Sequence, residues 1–335
     1  MNIALQLAWD PAHLDTFLAT ARAADEAGVH SLWVNEGFGH DAFSGLALLA
    51  RETQRVRLGT SIVNIYSRTP GALAQHFATI DELSGGRVII GLGASARGVV
   101  ERFHGLPFAA PLARLDETVA LMRSYWKREP FSHDGELFQV DRALPVGARP
   151  VQPSPPIWLA TMAPASVRLT GSIADGWLPA WIPMSRIGDN IHQLRGWAAE
   201  AGRGPSAVSV RSPGTTTVVS SPAEAVTVRR SQREALAFFI ARNGDFYYRQ
   251  FLRQGLAAEA ALIRDAWSRG GRDEAVSAMP PGLESNFGFA GALDSCRAHL
   301  AAQAALGVDV HMVTLAPGVR SGAAAILAKL AQAPD

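Results

Sequence analysis

The chain has 335 residues, of which 48% are hydrophobic and 18% charged, and its formal net charge is +1. That balance fills a sizeable core and speaks against nucleic acid or an anionic membrane as the main partner. A single cysteine, Cys296, excludes an intramolecular disulfide, and no uncharged apolar run reaches the ~18 residues that cross a bilayer. The first ten residues lack the basic start and longer apolar stretch of a signal peptide, so a soluble cytoplasmic protein is expected.

Short apolar runs alternate with helical periodicities through the first half of the chain. Asn2–Ala8 reads as a strand, and Leu14, Phe17, Leu18 and Ala21 then mark one face of a helix that Gly28 stops. Ser31–Asn35 is a second strand, Ala42–Arg51 a second helix and Val56–Val63 a third strand. Thr69-Pro70 opens a helix, with a capping hydroxyl before a proline whose missing N–H costs nothing there. Ser84-Gly85-Gly86 closes it, and Arg87–Leu92 is the fourth strand. A long helix through Leu112, Leu115, Val119, Met122 and Trp126 follows. Residues 129–156 are rich in Pro and Gly without a period, so this excursion is expected to be functional or a lid. Strands are predicted again at Ile157–Thr161, Ala174–Pro179, Val208–Val219 and Val308–Leu315, and residues 222–285 are expected to form a helical insertion.

Repeated βα units imply parallel strands with right-handed crossovers, and about eight strands favour an α/β (β/α)8 TIM barrel in one domain. The chemistry of such barrels sits on loops at the C-terminal strand ends. Asn35-Glu36-Gly37-Phe38-Gly39-His40-Asp41 follows strand two and offers two acid/base candidates, Glu36 and His40. The same residues could equally be a solvated surface loop, with Asp41 as a helix cap. Ser61, Ile62 and Asn64 end strand three. Gly93-Ala94-Ser95 follows strand four in a GxGxxA pattern that suits close backbone approach to a ligand. It lacks the immediate helix of a dinucleotide fingerprint. Ala160-Thr161-Met162-Ala163-Pro164 leads into a helix whose free N–H groups could face a phosphate. There is no HExxH, CxxC, GxSxG or P-loop, and the nine histidines are scattered, so metal and cysteine-nucleophile chemistry are not expected. A Schiff-base aldolase is disfavoured because the lysines, Lys127 and Lys329, lie off the strand ends.

Leu32-Trp33-Val34-Asn35-Glu36-Gly37-Phe38-Gly39, Arg57–Asn64, Thr79–Gly93, Ile173–Trp177 and Phe289-Ala290-Gly291, in this order, resemble the luciferase-like family and its deazaflavin-dependent branch. The resemblance covers nearly the whole chain. It implies a (β/α)8 barrel with insertions, usually a homodimer, that uses coenzyme F420. It implies a cis peptide at Ser61-Ile62 behind the cofactor ring, and cofactor contacts from Asn35, Ser61, Ile62, Asn64, Gly93, Ala94, Ser95, Ala160, Thr161, Ala163 and Pro164. Glu36 falls on the family's acid/base position, where many members carry His, and His40 could substitute. Ala163 stands where members often have Gly. Hydride transfer between the deazaflavin C5 and a small organic substrate is the expected reaction, with the substrate beneath residues 129–156 and 222–285. The alternatives are an FMN-dependent monooxygenase fed by a separate flavin reductase, and a cofactor carrier without catalysis.

Overall fold

A computed structural model describes residues 1–242 and 244–332. Its parallel strands are β1 (Ile3–Leu7), β2 (Ser31–Val34), β3 (Arg57–Thr60), β4 (Val88–Gly93), β5 (Ile157–Ala160), β6 (Gly176–Trp177), β7 (Ser209–Val210), β8 (Thr216–Val218), β9 (Phe289–Gly291) and β10 (His311–Leu315). From β1 to β6, each strand pairs with the next in the chain, and β6 with β7. β10 pairs with β1 on one side and β8 on the other. A bridge between Arg211 and Val310 joins the β7 segment to the β10 segment. The sheet therefore closes, and the seventh barrel position is shared by two short strands where one long strand was expected. Pro213-Gly214 lies between them, and proline cannot donate to a ladder. β9 adds outside β8.

The helices are α1 (Leu14–Glu26), α2 (Ala42–Glu52), α3 (Pro70–Ser84), α4 (Arg97–Arg102), α5 (Pro111–Lys127), α6 (Pro164–Ile173), α7 (Met184–Glu200), α8 (Pro222–Ala241), α9 (Asp245–Arg253), α10 (Ala257–Ala278), α11 (Leu293–Ala305) and α12 (Ala323–Ala331). Local chemistry sets several ends. Asp41 caps α2 by accepting the Ser44 N–H at 2.9 Å, Thr69 caps α3 before Pro70, and Gly85 ends α3 at φ +67°. The short α4 opens directly after strand four, where the sequence suggested a delay.

One apolar layer lies between barrel and helices, built on residues such as Leu32, Leu46, Leu58, Phe77, Ile90 and Leu159. A second fills the barrel itself: Ala4, Trp33, Ile89, Trp158, Leu178, Val310 and Met312. The Trp33 and Trp158 rings sit 5.5 Å apart there. Gly59 makes room for them, since a Cβ at that position would come within 2.6 Å of the Trp33 ring. The interior is thus a packed plug, and a ligand is confined to the strand ends.

The two long excursions lie at opposite ends of the barrel. Residues 129–156 run from α5 to the start of β5 and carry a small hairpin, His133–Asp134 with Gln139–Val140. Arg149 donates to Glu82, the Gln152 N–H donates to Asp81 at 2.9 Å, and Val151 packs at Gly86. All three partners lie where α3 returns to the N-terminal end of β4. This corrects the expectation of a lid: a segment that leads from a helix into a strand emerges on the N-terminal face, away from the site. Helices α8 to α10 instead leave from the C-terminal end of β8. Leu236, Ile240, Phe251, Ile263 and Met279 form a core of their own, and Trp181 from the segment after β6 packs against it. Arg233 ties this unit together through Glu284 at 2.9 Å and the carbonyls of Val276 and Met279.

Candidate active site

Strand three ends in a fixed bulge. The Ser61-Ile62 peptide is cis, and Val63–Asn64 then pairs with Leu92–Gly93. The Thr60 hydroxyl donates to the Gly91 carbonyl at 2.8 Å and accepts its N–H at 2.9 Å, which pins the bulge to β4. Gly93 leaves a shallow apolar cradle. A Cβ there would stand 3.0 Å from Ile62 Cδ1 and 3.4 Å from the Ala160 methyl. Ile62 and Ala160 are half-buried, with one side open to the mouth. Ala94 and Ser95 form the rim, and Ser95 turns the chain at φ +60°. Asn64 is buried beneath them. Its Oδ1 accepts the Tyr66 N–H at 2.8 Å, while its Nδ2 has no partner. A buried donor without an acceptor costs about 1–3 kcal/mol, so this amide is suited to a ligand oxygen.

On the next strand, Ala163 is the N-cap of α6 and Pro164 its first residue, with no side chain capping the turn. The first N–H groups of α6 are therefore available to an anion. Thr161 is turned away from this end. Its hydroxyl shares a 2.7 Å bond with Thr170, and its carbonyl accepts the Trp177 indole N–H at 3.0 Å. Beside α6 opens a cavity of about 370 Å³ lined by Met162, Pro164, Arg186, Arg253 and Gln254 among others.

The loop after β2 divides its ionisable groups between two tasks. Both Glu36 oxygens are occupied: Oε1 by Arg68 at 2.6 Å, Oε2 by Arg68 at 3.1 Å and by the Ala42 N–H at 3.0 Å. This half-buried bidentate pair ties the loop to the segment after strand three and to the first turn of α2. Asp41 is spent as a cap. Burial would raise its pKa, but the Ser44 N–H and hydroxyl hold it below the usual range. His40 is open to solvent and lies 3.5 Å from the Asp10 carboxylate. The Ala12 N–H, with His13 and His40 nearby, keeps Asp10 below the usual carboxylate range. Asn35 is exposed, with its Oδ1 3.5 Å from Gln6 Nε2. The strand ends thus gather Ile62, Asn64, Gly93, Ala94, Ser95, Ala160, Ala163 and Pro164, and the Glu36 N–H reaches the Ile62 carbonyl at 3.4 Å, with His40 further along the same loop.

Two participants were missed in the sequence. Arg68 lies 32 positions from Glu36, and nothing local marks the pair. Arg211 stood in a Thr- and Ser-rich run that reads as ordinary strand. Its side chain reaches across the mouth, donates to Ser61 Oγ at 2.8 Å and lies 5.1 Å over the Trp33 ring. Strand register would have pointed it inward, but the break at 211–215 hid the register.

A closed parallel barrel with an apolar cradle beside an uncapped helix is suited to a ligand with a planar ring and an anionic arm, which defines a cofactor-binding (β/α)8 barrel. The chain belongs to the luciferase-like monooxygenase family, which matches residues 4–310. A protein of Mycobacterium tuberculosis that bears the name of a coenzyme F420-dependent oxidoreductase is 31% identical over 330 residues, covering 94% of this chain and 95% of its own. The 5,10-methylenetetrahydromethanopterin reductase of Methanolobus tindarius is 26% identical, over 84% of each chain. Among solved structures, the coenzyme F420-dependent tetrahydromethanopterin reductase from Methanopyrus kandleri superposes with a TM-score of 0.82 at 22% identity, covering 98% of this chain and 97% of its own. No helix among the described residues is long and apolar enough to cross a membrane.

Proposed function

We propose that the protein is an F420-dependent oxidoreductase in which hydride passes between C5 of the deazaflavin and a small organic substrate in the barrel mouth. A relative named for F420 chemistry, matched across nearly the full chain, supports the class. The observation that carries the assignment to this site is the cradle of Ile62, Gly93 and Ala160 beside the uncapped start of α6. The residues present fit the cofactor. A planar ring can lie on the cradle, Asn64 Nδ2 can donate to a ring oxygen, and the α6 N–H groups can take the phosphate. Arg253 adds positive charge along the neighbouring cavity, where Arg186 is paired with Asp189 at 3.8 Å.

When bound, the deazaflavin supplies a two-electron carrier that reacts poorly with oxygen, so the protein's tasks are placement and proton handling. Ile62 backs one ring face, and the packed plug beneath it keeps water out from below. His40 handles the proton, oriented by Asp10, because its imidazole is open while both Glu36 oxygens are occupied. Glu36 is assigned a positioning role through Arg68. The substrate space is bounded by the helices that follow β8, and not by residues 129–156.

Titration of the apo-protein with F420 and, separately, with FMN, followed by cofactor fluorescence, tests the reading. Micromolar or tighter F420 binding with at least tenfold weaker FMN binding is expected. The reverse preference would favour the second reading, an FMN-dependent monooxygenase with a separate flavin reductase, which the family's own description keeps in view. A homodimer is the expected assembly, to be read by light scattering.

A further inference from the structure

Two half-buried arginines that serve the fold, Arg87 and Arg233, have their donors filled, whereas Arg114 and Arg195, like Arg211, each leave a buried Nε without a partner. All five Arg87 N–H groups are used, on the carbonyls of Ala50, Thr53, Val56 and Ser84 and on the Thr53 hydroxyl, at 2.6 to 3.0 Å. Arg233 is tied to one carboxylate and three carbonyls. Arg211 differs. Its one hydrogen-bond partner among the described residues is Ser61 Oγ, and its Nε is buried with no partner. No carboxylate of the described residues pairs with it within 4.0 Å. Burial alone pushes its pKa down to about 10, so it remains charged at neutral pH. A withdrawn cation without a counter-charge is costly, and persists where something else neutralises it.

Its placement narrows what that is. Arg211 follows β7, and its own N–H is held by the Trp177 carbonyl at 3.1 Å. The side chain crosses to Ser61 above the Trp33 ring, forming part of the floor of the mouth next to Ile62. Glu36, in the loop after β2, is already neutralised by Arg68. The floor therefore presents one unneutralised planar cation with free N–H groups, a shape that fits an oxygen anion or a forked carboxylate.

We propose that Arg211 is a ligand-binding residue that takes an anionic oxygen of the small molecule seated on Ser61-Ile62. The oxygen comes either from the ring of the reduced cofactor or from a carboxylate on the substrate. The inference rests on the reading of the mouth as a deazaflavin site, and its test separates the two. Wild-type apo-protein and the R211Q and R211K variants are titrated with oxidised F420 by fluorescence, with reduced F420 by anaerobic calorimetry, and with sodium acetate at constant ionic strength. A cofactor role predicts that R211Q weakens reduced F420 at least tenfold and the oxidised form less than threefold, with R211K between. A substrate role predicts unchanged cofactor binding in both states and loss of acetate binding that the wild type shows. Equal binding of all three probes by wild type and R211Q overturns the proposal while F420 binding itself still stands. Should R211Q fail to fold, the wild type alone decides against the proposal if it neither binds acetate nor prefers reduced over oxidised F420. If the wild type binds acetate but not F420, the deazaflavin reading falls and the anion site remains.

Discussion

At the scale of single residues, the loop after β2 holds two neighbouring ionisable groups in different settings. Glu36 and His40 are four positions apart, yet one is fixed in a bidentate pair and the other stands free beside Asp10. Their variants should therefore fail differently. Glu36→Gln removes a half-buried charge pair and should cost about 1–3 kcal/mol of stability, read as a shift in the urea midpoint. Its turnover should fall less than tenfold. His40→Gln should leave stability and F420 binding unchanged and lower kcat roughly 10²-fold or more, the usual weight of a general acid or base. The assay requires a substrate, found by screening unsaturated, imine and alcohol compounds with the cofactor. A 10²-fold loss in Glu36→Gln at wild-type stability would reverse the assignment. Both acids were legible in the sequence as polar groups at a strand end. Their different contacts were not, because they depend on Arg68 and Asp10, which only folding brings near.

At the scale of elements, α6 is the part whose local sequence and chemistry agree most directly. Ala163-Pro164 starts a helix without any side chain to cap it, which leaves N–H donors and the positive end of the helix dipole open. An Asp at Ala163 would supply the missing cap and should stabilise the protein by about 1 kcal/mol. The same carboxylate would stand where the cofactor phosphate is proposed to sit. Ala163→Asp should therefore raise the melting temperature while weakening F420 at least tenfold. A deazaflavin riboside without the phosphate should bind as before. Equal weakening of both ligands would mean that the change acts on the ring site instead. The βα alternation that places α6 was plain in the sequence from hydrophobic periodicity and glycine stops. Two features were not. Strands six and seven shrink to two- or three-residue pieces, because glycine and proline interrupt runs that look continuous. The excursion over 129–156 looked like a lid by length and composition. Connectivity alone would have placed it on the opposite face, since it follows a helix and precedes a strand.

At the scale of the whole molecule, acid should act on the end of the barrel remote from the mouth. His30 and His311 stand at the entries to β2 and β10, where their N–H groups bond the Ile3 and Asn2 carbonyls. Burial, with the Arg57 charge beside it, lowers His30 from its ordinary value of 6.5 to about 4. Burial, with the amino terminus and His299 nearby, lowers His311 to about 4 as well. His311 Nδ1 is 2.9 Å from Gln303 Oε1, and Gln303 Nε2 is 3.1 Å from His299 Nε2, a chain that holds neutral rings. A histidine kept neutral in the fold binds its proton more readily when unfolded. Its contribution is therefore full above pH 6.5 and is lost as pH falls from there towards 4. Each site can weigh up to about 3 kcal/mol. Asp25, Asp41 and Glu117 have carboxyl pKa values lowered in the fold, so their contributions fade only at still lower pH. Burial also lowers His299, so urea midpoints measured between pH 7.5 and 5 should report all three histidines, and His311→Gln should flatten that slope in part. An unchanged slope in His311→Gln would place the acid sensitivity elsewhere. Because both rings lie below the packed plug of Trp33 and Trp158, F420 affinity should hold over the same range until the fold itself gives way.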